Sequence, residues 1–399
     1  MIFSSRIKKR RCFFLTFILI SIAASSIAPA ASAAAAITAL DASVNEQIIM
    51  LPVSVNGTAL QLETTLFKPP GEGPFPLLLM NHGKDKGKPM QQQRDRFLSM
   101  SREFVKRGYA VAVPMRKGFS RSTGTYSDLG CNMKDNGQMQ ADDVEAALTS
   151  LVHLPWVDSS RILVAGQSYG GLAAMAFGTR HFPGVRGLLN FAGGLRIDGS
   201  SCDWKSSLVT AFASYATKTS LPSLWFYGAN DSYFDHPLAQ RLQDAYQSAG
   251  GASQLISFAS FKSDAHGLVG SRDGVTIWWP ETERFLKQLG MPFDDIIPVA
   301  DLPRPPASGF ASVGNINAVP YMNDKGRTGY KEYLSKSSPR AFAISVAGAW
   351  SWAEEGDDPS SRALAACQTN SKSACQLYAI DDDVVWRDST TAAPPLAAR

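Results

Sequence analysis

The chain has 399 residues, 45% of them hydrophobic and 19% charged, the composition of a soluble globular protein long enough for two domains. Its 39 basic residues outnumber 35 acidic ones, but Arg6, Lys8, Lys9, Arg10 and Arg11 all precede the apolar run Phe13 to Ile22 and the small-residue stretch "ASSIAPAASA". That is the pattern of a cleavable signal over residues 1–33, with an A-x-A site at Ala31 to Ala33. Its removal leaves 34 basic against 35 acidic residues, which excludes the basic footprint of a nucleic-acid-binding protein.

The expected location is therefore periplasmic or extracellular. The pair Arg10-Arg11 loosely resembles a twin-arginine export signal, although the oily core favours the general secretory route. Once Cys12 leaves with the signal, Cys131, Cys202, Cys367 and Cys375 remain, and four thiols in an exported protein read as two disulfides. Spacing favours Cys367 with Cys375, which leaves Cys131 with Cys202. None lies in a C-x-x-C, and histidine is scarce, so no metal site and no cofactor is expected.

From Ala59 onward apolar strands alternate with amphipathic helices. The predicted strands are "ALQLETTLF", "PFPLLLMNHG", "YAVAVPM", "RILVAG", "VRGLLNFAG", "PSLWFYG" and "SQLISFASF". Between them lie the predicted helices "RDRFLSMSREFVKRG", "QMQADDVEAALTSLVHL", "LAAMAFGTRHF", "HPLAQRLQDAYQSAG" and "WPETERFLKQLG". This rhythm predicts an α/β domain over residues 45–291, a mostly parallel, doubly wound sheet covered on both faces. A proline-rich linker is expected over 292–308. Residues 309–395 are expected to form a small α+β C-terminal domain, with strands in "PRAFAISVAGAWSWA" and "CQLYAIDDDVVW" around the helix "SSRALAACQ".

The motif Gly166-Gln167-Ser168-Tyr169-Gly170 fits G-x-S-x-G, and it stands between a strand, "RILVA", and a helix, "GLAAMAF". A sharp strand-to-helix turn would force Ser168 into a strained conformation and lift its hydroxyl above the sheet, which is what a nucleophile elbow needs. Serine attacks poorly without a base. Of five histidines, His153 and His181 lie on or at the ends of flanking helices, His236 opens a helix and His82 ends a strand below the site. His266, in a loop after the last strand, remains. Asp231, directly after "LWFYG", fits the acid that would orient it, with Asp235 and Asp264 as rivals suited to a helix cap and to the loop itself. The backbone N–H groups of Tyr169 and Lys84 are the candidate oxyanion donors.

With "NHG", "MRKGFSRSTG", "WVDSSRILVAGQSYGG", "GANDSYF" and "SDAHG" in this order, residues 45 to 290 resemble the dienelactone hydrolase and prolyl-oligopeptidase branch of the α/β-hydrolase superfamily. The resemblance implies a triad of Ser168, Asp231 and His266, with serine where dienelactone hydrolase itself has cysteine. It also implies that Arg116 and Ser122, in "MRKGFSRSTGTY", line the pocket rim. The expected activity is serine hydrolysis of a small-molecule ester. A peptide substrate is the alternative, and the short segment ahead of the fold tilts the expectation towards esters. An idle scaffold with a binding module is the other competitor. Trp350, Trp352 and Trp386 offer a possible cell-wall or carbohydrate contact through the C-terminal domain. Asp381 to Asp383 lack calcium-ligand spacing and read as a solvated turn.

Overall fold

A computed structural model of the protein describes residues 40–197, 202–300, 304–354 and 358–388. The export segment expected over residues 1–33 lies outside them. The chain begins with a hairpin of β1 (Gln47–Val55) and β2 (Thr58–Phe67). Asn56 and Gly57 turn it with φ of 49° and 80°, the left-handed pair that a two-residue hairpin loop requires. The sequence does not predict β1, because Pro52 interrupts its pattern. Proline is tolerated there because β1 is the edge of the sheet.

Next come β3 (Phe75–Asn81), α1 (Leu98–Lys106), β4 (Ala110–Pro114), α2 (Met133–Leu151), β5 (Val157–Gln167) and α3 (Tyr169–Phe177). They are followed by β6 (Val185–Phe191), α4 (Trp204–Ala216), β7 (Ser223–Gly228), α5 (His236–Ser248), β8 (Ser253–Phe258) and α6 (Val275–Gln288). The eight strands lie in the order β1-β2-β4-β3-β5-β6-β7-β8, and every pairing from β4 through β8 is parallel. This is the mostly parallel, doubly wound α/β arrangement that the alternating pattern predicts. Helix α4 was not anticipated: "WKSSLVTAFASYA" is short of charge and rich in serine, threonine and alanine, so no polar face marks its period.

Both faces of the sheet are covered, as continuous apolar strands require. Along β3, Leu77 and Leu79 point into one core with Val144, Leu172 and Phe212, whereas Leu78 and Met80 point into the other with Phe104, Trp278 and Leu286. Helix α1 is shorter than its sequence suggested. Phe97 starts it in a left-handed conformation, φ 43°, and Arg94 and Arg96 are drawn off to the buried carboxylate of Glu46.

The connection after α6 is strapped to α1 and is more than a spacer. The N–H groups of Ile296 and Ile297 donate to the Lys106 carbonyl at 2.9 and 2.8 Å, the Tyr109 hydroxyl donates to the Pro292 carbonyl at 2.7 Å, and Arg107 meets Asp295 at 3.1 Å. Beyond it stand α7 (Asp324–Leu334), β9 (Arg340–Ser345), β10 (Trp350–Glu354), α8 (Pro359–Thr369), β11 (Cys375–Ile380) and β12 (Asp383–Val384). Their strands form an antiparallel sheet in the order β10-β9-β11-β12. Tyr330 and Tyr333 of α7 pack on Phe342 and Tyr378 on one face, while Ala363 and Cys367 of α8 cover Ala341 and Ala343 on the other.

This packing corrects the suggested carbohydrate face. Trp350 stacks on Phe342 with centroids 5.9 Å apart and lies so close over Gly329 that an added Cβ would meet its ring at 2.1 Å. Trp386 is 6% exposed, and Trp352 packs against the same core beneath Lys336. These rings serve as the core of a small module, and their packing does not support the suggested cell-wall contact. The aspartates at 381 to 383 are occupied by arginines: Arg304 takes Asp381 and Asp383, and Arg340 takes Asp382.

Candidate active site

The strand order reverses between β3 and β5: the chain moves outward from β3 to β4, then returns to the other side of β3 to lay down β5. In open parallel sheets the crevice at such a reversal is where ligands bind. Ser168 follows β5, and His82, Gly83 and Lys84 follow β3, so both halves of the candidate site flank this crevice.

Ser168 has φ 56° and ψ −123°, a conformation that costs a non-glycine residue of order 1–3 kcal/mol. The surroundings enforce it. Its N–H donates to the Phe191 carbonyl at 3.0 Å, and its carbonyl accepts from Gly194 at 2.9 Å and Leu172 at 3.1 Å. Glycine on both sides is a demand of space. A Cβ on Gly166 would lie 2.0 Å from the Gly170 carbonyl oxygen, and one on Gly170 would lie 2.1 Å from the Asn81 carbonyl oxygen. Helix α3 therefore starts directly against the end of β3, with Ser168 half-buried at its head.

His266 and Asp231 meet as an ion-pair geometry: Nδ1 of the imidazole lies 3.0 Å from Asp231 Oδ2. The other carboxylate oxygen accepts from the N–H groups of Tyr233 at 2.8 Å and Phe234 at 2.9 Å. With both oxygens engaged the carboxylate has one orientation, and it fixes the proton of a neutral His266 on Nδ1, leaving Nε2 as an acceptor. The rings of Tyr233 and Phe234 lie 4.4 and 5.6 Å from the imidazole and restrict its tilt. Gln167, beside Ser168, donates to the His266 carbonyl at 3.1 Å and so holds the histidine loop against the elbow.

The two rival aspartates have structural duties. Asp235 caps α5 by accepting from Leu238 at 2.9 Å. Asp264 accepts from the N–H groups of Ser232 at 3.1 Å and His266 at 2.9 Å, which staples the Asp231 loop to the His266 loop. His236 is turned to the Tyr227 carbonyl at 3.0 Å.

His82 has a role that sequence reasoning did not assign. It is fully buried, and its Nε2 accepts the Arg116 N–H at 2.9 Å, so the proton sits on Nδ1 and is donated to the Gly83 carbonyl at 2.6 Å. Burial, with the Arg116 cation beside it, holds its pKa well below the ordinary histidine value, so the ring stays neutral. A trans peptide points its C=O and N–H in opposite directions. Drawing the Gly83 carbonyl to His82 therefore turns the Lys84 N–H away from the buried ring. Neither that N–H nor the one of Tyr169 has a backbone or side-chain acceptor among the described residues. Gly83 itself packs on Ser168: a Cβ there would lie 3.3 Å from the Ser168 Cβ.

The expected pocket rim is corrected. Arg116 is 1% exposed and Ser122 6%. The Ser122 hydroxyl donates to the Met115 carbonyl at 2.6 Å and accepts from the Glu63 N–H at 2.9 Å, closing the turn. Arg116 donates from Nε to Gln140 at 2.6 Å and lies 5.6 Å from the Tyr169 ring, beneath the elbow. Burial lowers its pKa to about 10 and raises that of the nearby Asp143 carboxyl to about 6. Gly118 and Gly124 take φ of 76° and 84° in this loop, and the path of the folded loop, which a linear motif does not reveal, leaves both side chains buried.

Cys131 is bonded to Cys202 and Cys367 to Cys375. The first bridge joins the loop before α2 to the loop between β6 and α4, whose Gly194 touches the Ser168 backbone. It closes 71 residues, worth roughly 2–4 kcal/mol of restraint on the unfolded chain. Cys131→Ser is accordingly expected to lower the thermal midpoint and the turnover of the oxidised protein. Unchanged values for both would show that the bridge braces nothing.

A model of the X-Pro dipeptidyl-peptidase (S15 family) matches residues 57–196, which include β2 through β6 and Ser168. No curated protein matches the chain. Among solved structures, a putative dienelactone hydrolase from Klebsiella pneumoniae is 16% identical and is matched over 61% of this chain and 99% of its own, with a TM-score of 0.43. An esterase from Pyrococcus furiosus is 16% identical over 62% of this chain and 92% of its own, with a TM-score of 0.45. Dipeptidyl peptidase 4 of Porphyromonas gingivalis is 21% identical over 63% of this chain, which spans only 36% of that enzyme, with a TM-score of 0.45.

Proposed function

We propose that the chain is an α/β-hydrolase, a serine hydrolase that cleaves a carboxylic ester through an acyl-enzyme on Ser168, a reading supported by the sheet topology and by the S15-family match over residues 57–196. The observation that carries this reading is the Asp231–His266 pair at 3.0 Å, on loops tied to the strained turn that bears Ser168. In the proposed reaction His266 Nε2 takes the proton as Ser168 Oγ attacks the carbonyl. Asp231 holds the imidazole by Nδ1 and stabilises its charged form. The N–H groups of Tyr169 and Lys84 hold the oxyanion. Tyr169 contributes from the first turn of α3, where N–H groups have no helical acceptor and the helix dipole favours negative charge. His266 then gives its proton to the departing alkoxide, and water repeats the sequence to free Ser168.

Ester cleavage asks only for nucleophile, base and oxyanion donors. Release of a dipeptide would further require a group that holds the substrate's terminal ammonium. Peptide cleavage is the second reading, favoured by the S15-family match over residues 57–196. Two disulfides support an exported protein working in an oxidising compartment.

A fluorophosphonate probe should label the wild-type protein and fail to label Ser168→Ala. Turnover of p-nitrophenyl acetate should fall by at least a thousandfold in that variant. Equal hydrolysis by both proteins would remove Ser168 from the mechanism. Parallel assays with a p-nitrophenyl ester and an X-Pro p-nitroanilide separate the two substrate classes.

A further inference from the structure

We infer that the C-terminal module is a positioning element for the acid and base loops, and that Lys262 is the residue through which it acts. This rests on the proposed roles of Asp231 and His266.

Lys262 lies in the turn between β8 and the short 3-10 helix that carries His266 (Ala265–Gly270). Its backbone lies in the left-handed region, φ 45°, which is uncommon for a lysine and is held here by surrounding contacts. Those contacts come from two directions. From the acid loop, Asn230, the residue before Asp231, accepts the Phe261 N–H at 2.9 Å and donates to the Lys262 carbonyl at 3.1 Å. From the module, the Ser338 carbonyl oxygen, at the turn between α7 and β9, accepts from Lys262 Nζ. The same ammonium meets Asp273, at the head of α6, at 2.6 Å.

The side chain is only 10% exposed, so its ammonium is held by these two contacts. Through Lys262 the module therefore grips a turn whose backbone is clamped to Asn230 on one side. On the other side, Asp264 couples the turn to Ser232 and His266. The 3.0 Å separation of His266 and Asp231 is set between loops that the module helps to hold in register. The strap of residues 292–297 along α1 keeps the module's attachment close to this turn's side of the sheet, since α1 and the His266 helix pack in one core.

Lys262 touches no reacting atom, so its loss should slow the reaction and leave substrate binding alone. The test uses the full chain, with p-nitrophenyl acetate as substrate and amide hydrogen exchange as an independent readout. Lys262→Met should lower kcat about tenfold, the scale expected when a catalytic group is misplaced by a fraction of an ångström, with KM within twofold of wild type. Exchange at residues 261–267 should quicken, and Lys262→Arg, which keeps the charge and the donors, should restore both. An unchanged kcat, or unchanged exchange in Lys262→Met, would overturn the proposal. Failure of Ser168 to be needed for turnover would instead sink the reading of the site. In that event the exchange comparison alone decides whether the module holds the turn.

Discussion

Asp231→Asn is expected to lower kcat by about ten-thousandfold while the fold stays intact. The asparagine oxygen can still accept from Tyr233 and Phe234, which hold Asp231 at 2.8 and 2.9 Å, so the loop has no reason to move. What changes is the group facing His266 Nδ1, now an amide N–H in place of a carboxylate oxygen. Two donors cannot share a hydrogen bond, so the imidazole proton moves to Nε2, the atom that in the proposed mechanism accepts the Ser168 proton. The substitution also removes the negative charge that stabilises the imidazolium. Steady-state kinetics on a p-nitrophenyl ester, with near-UV circular dichroism as a check on folding, read this directly. A loss smaller than tenfold would mean that Asp231 does not orient the base.

A second large effect is expected on stability. Gly170→Ala adds a Cβ that would lie 2.1 Å from the Asn81 carbonyl oxygen and 2.5 Å from that of His82. Both are main-chain atoms at the buried end of β3, so no side chain can swing aside. Helix α3 must lift from the strand, at a cost of about 3 kcal/mol, and the turn at Ser168 opens with it. Gly270→Ala is the matched control, because a Cβ there meets nothing within 4 Å. Urea unfolding should show the first variant destabilised and the second close to wild type. Equal midpoints for the two would contradict the close packing of elbow and strand.

Much of this organisation was legible in the sequence, for identifiable reasons. Strands buried on both faces are continuous apolar runs, and β3 to β7 are visible as such, whereas β8 is a half-buried edge strand with polar residues in its pattern. Ser168, Asp231 and His266 stand out because each follows a strand, and the loops after parallel strands gather at one edge of a sheet. The distance between Asp231 and His266 came only from folding, since 35 residues and a helix separate them. Arg116 and Ser122 were misjudged because a glycine-rich loop can present a side chain to either side, and only the tertiary path decides. His82 was discounted as a floor residue, yet being on the floor lets it orient the Gly83 peptide. Lys262 carries no signal in the sequence: its partner in the C-terminal module is a backbone carbonyl 76 residues away, which no side-chain pattern encodes.

The claim that hydrolysis passes through Ser168 is tested most directly by trapping the intermediate. The protein is mixed with p-nitrophenyl acetate, quenched in acid within the first turnover and digested for peptide mass spectrometry. One acetyl group per chain is expected on the peptide that contains Ser168, with none in Ser168→Ala. Turnover without an acetylated Ser168, or an acetyl group on another residue that turns over at the catalytic rate, would contradict the acyl-enzyme mechanism.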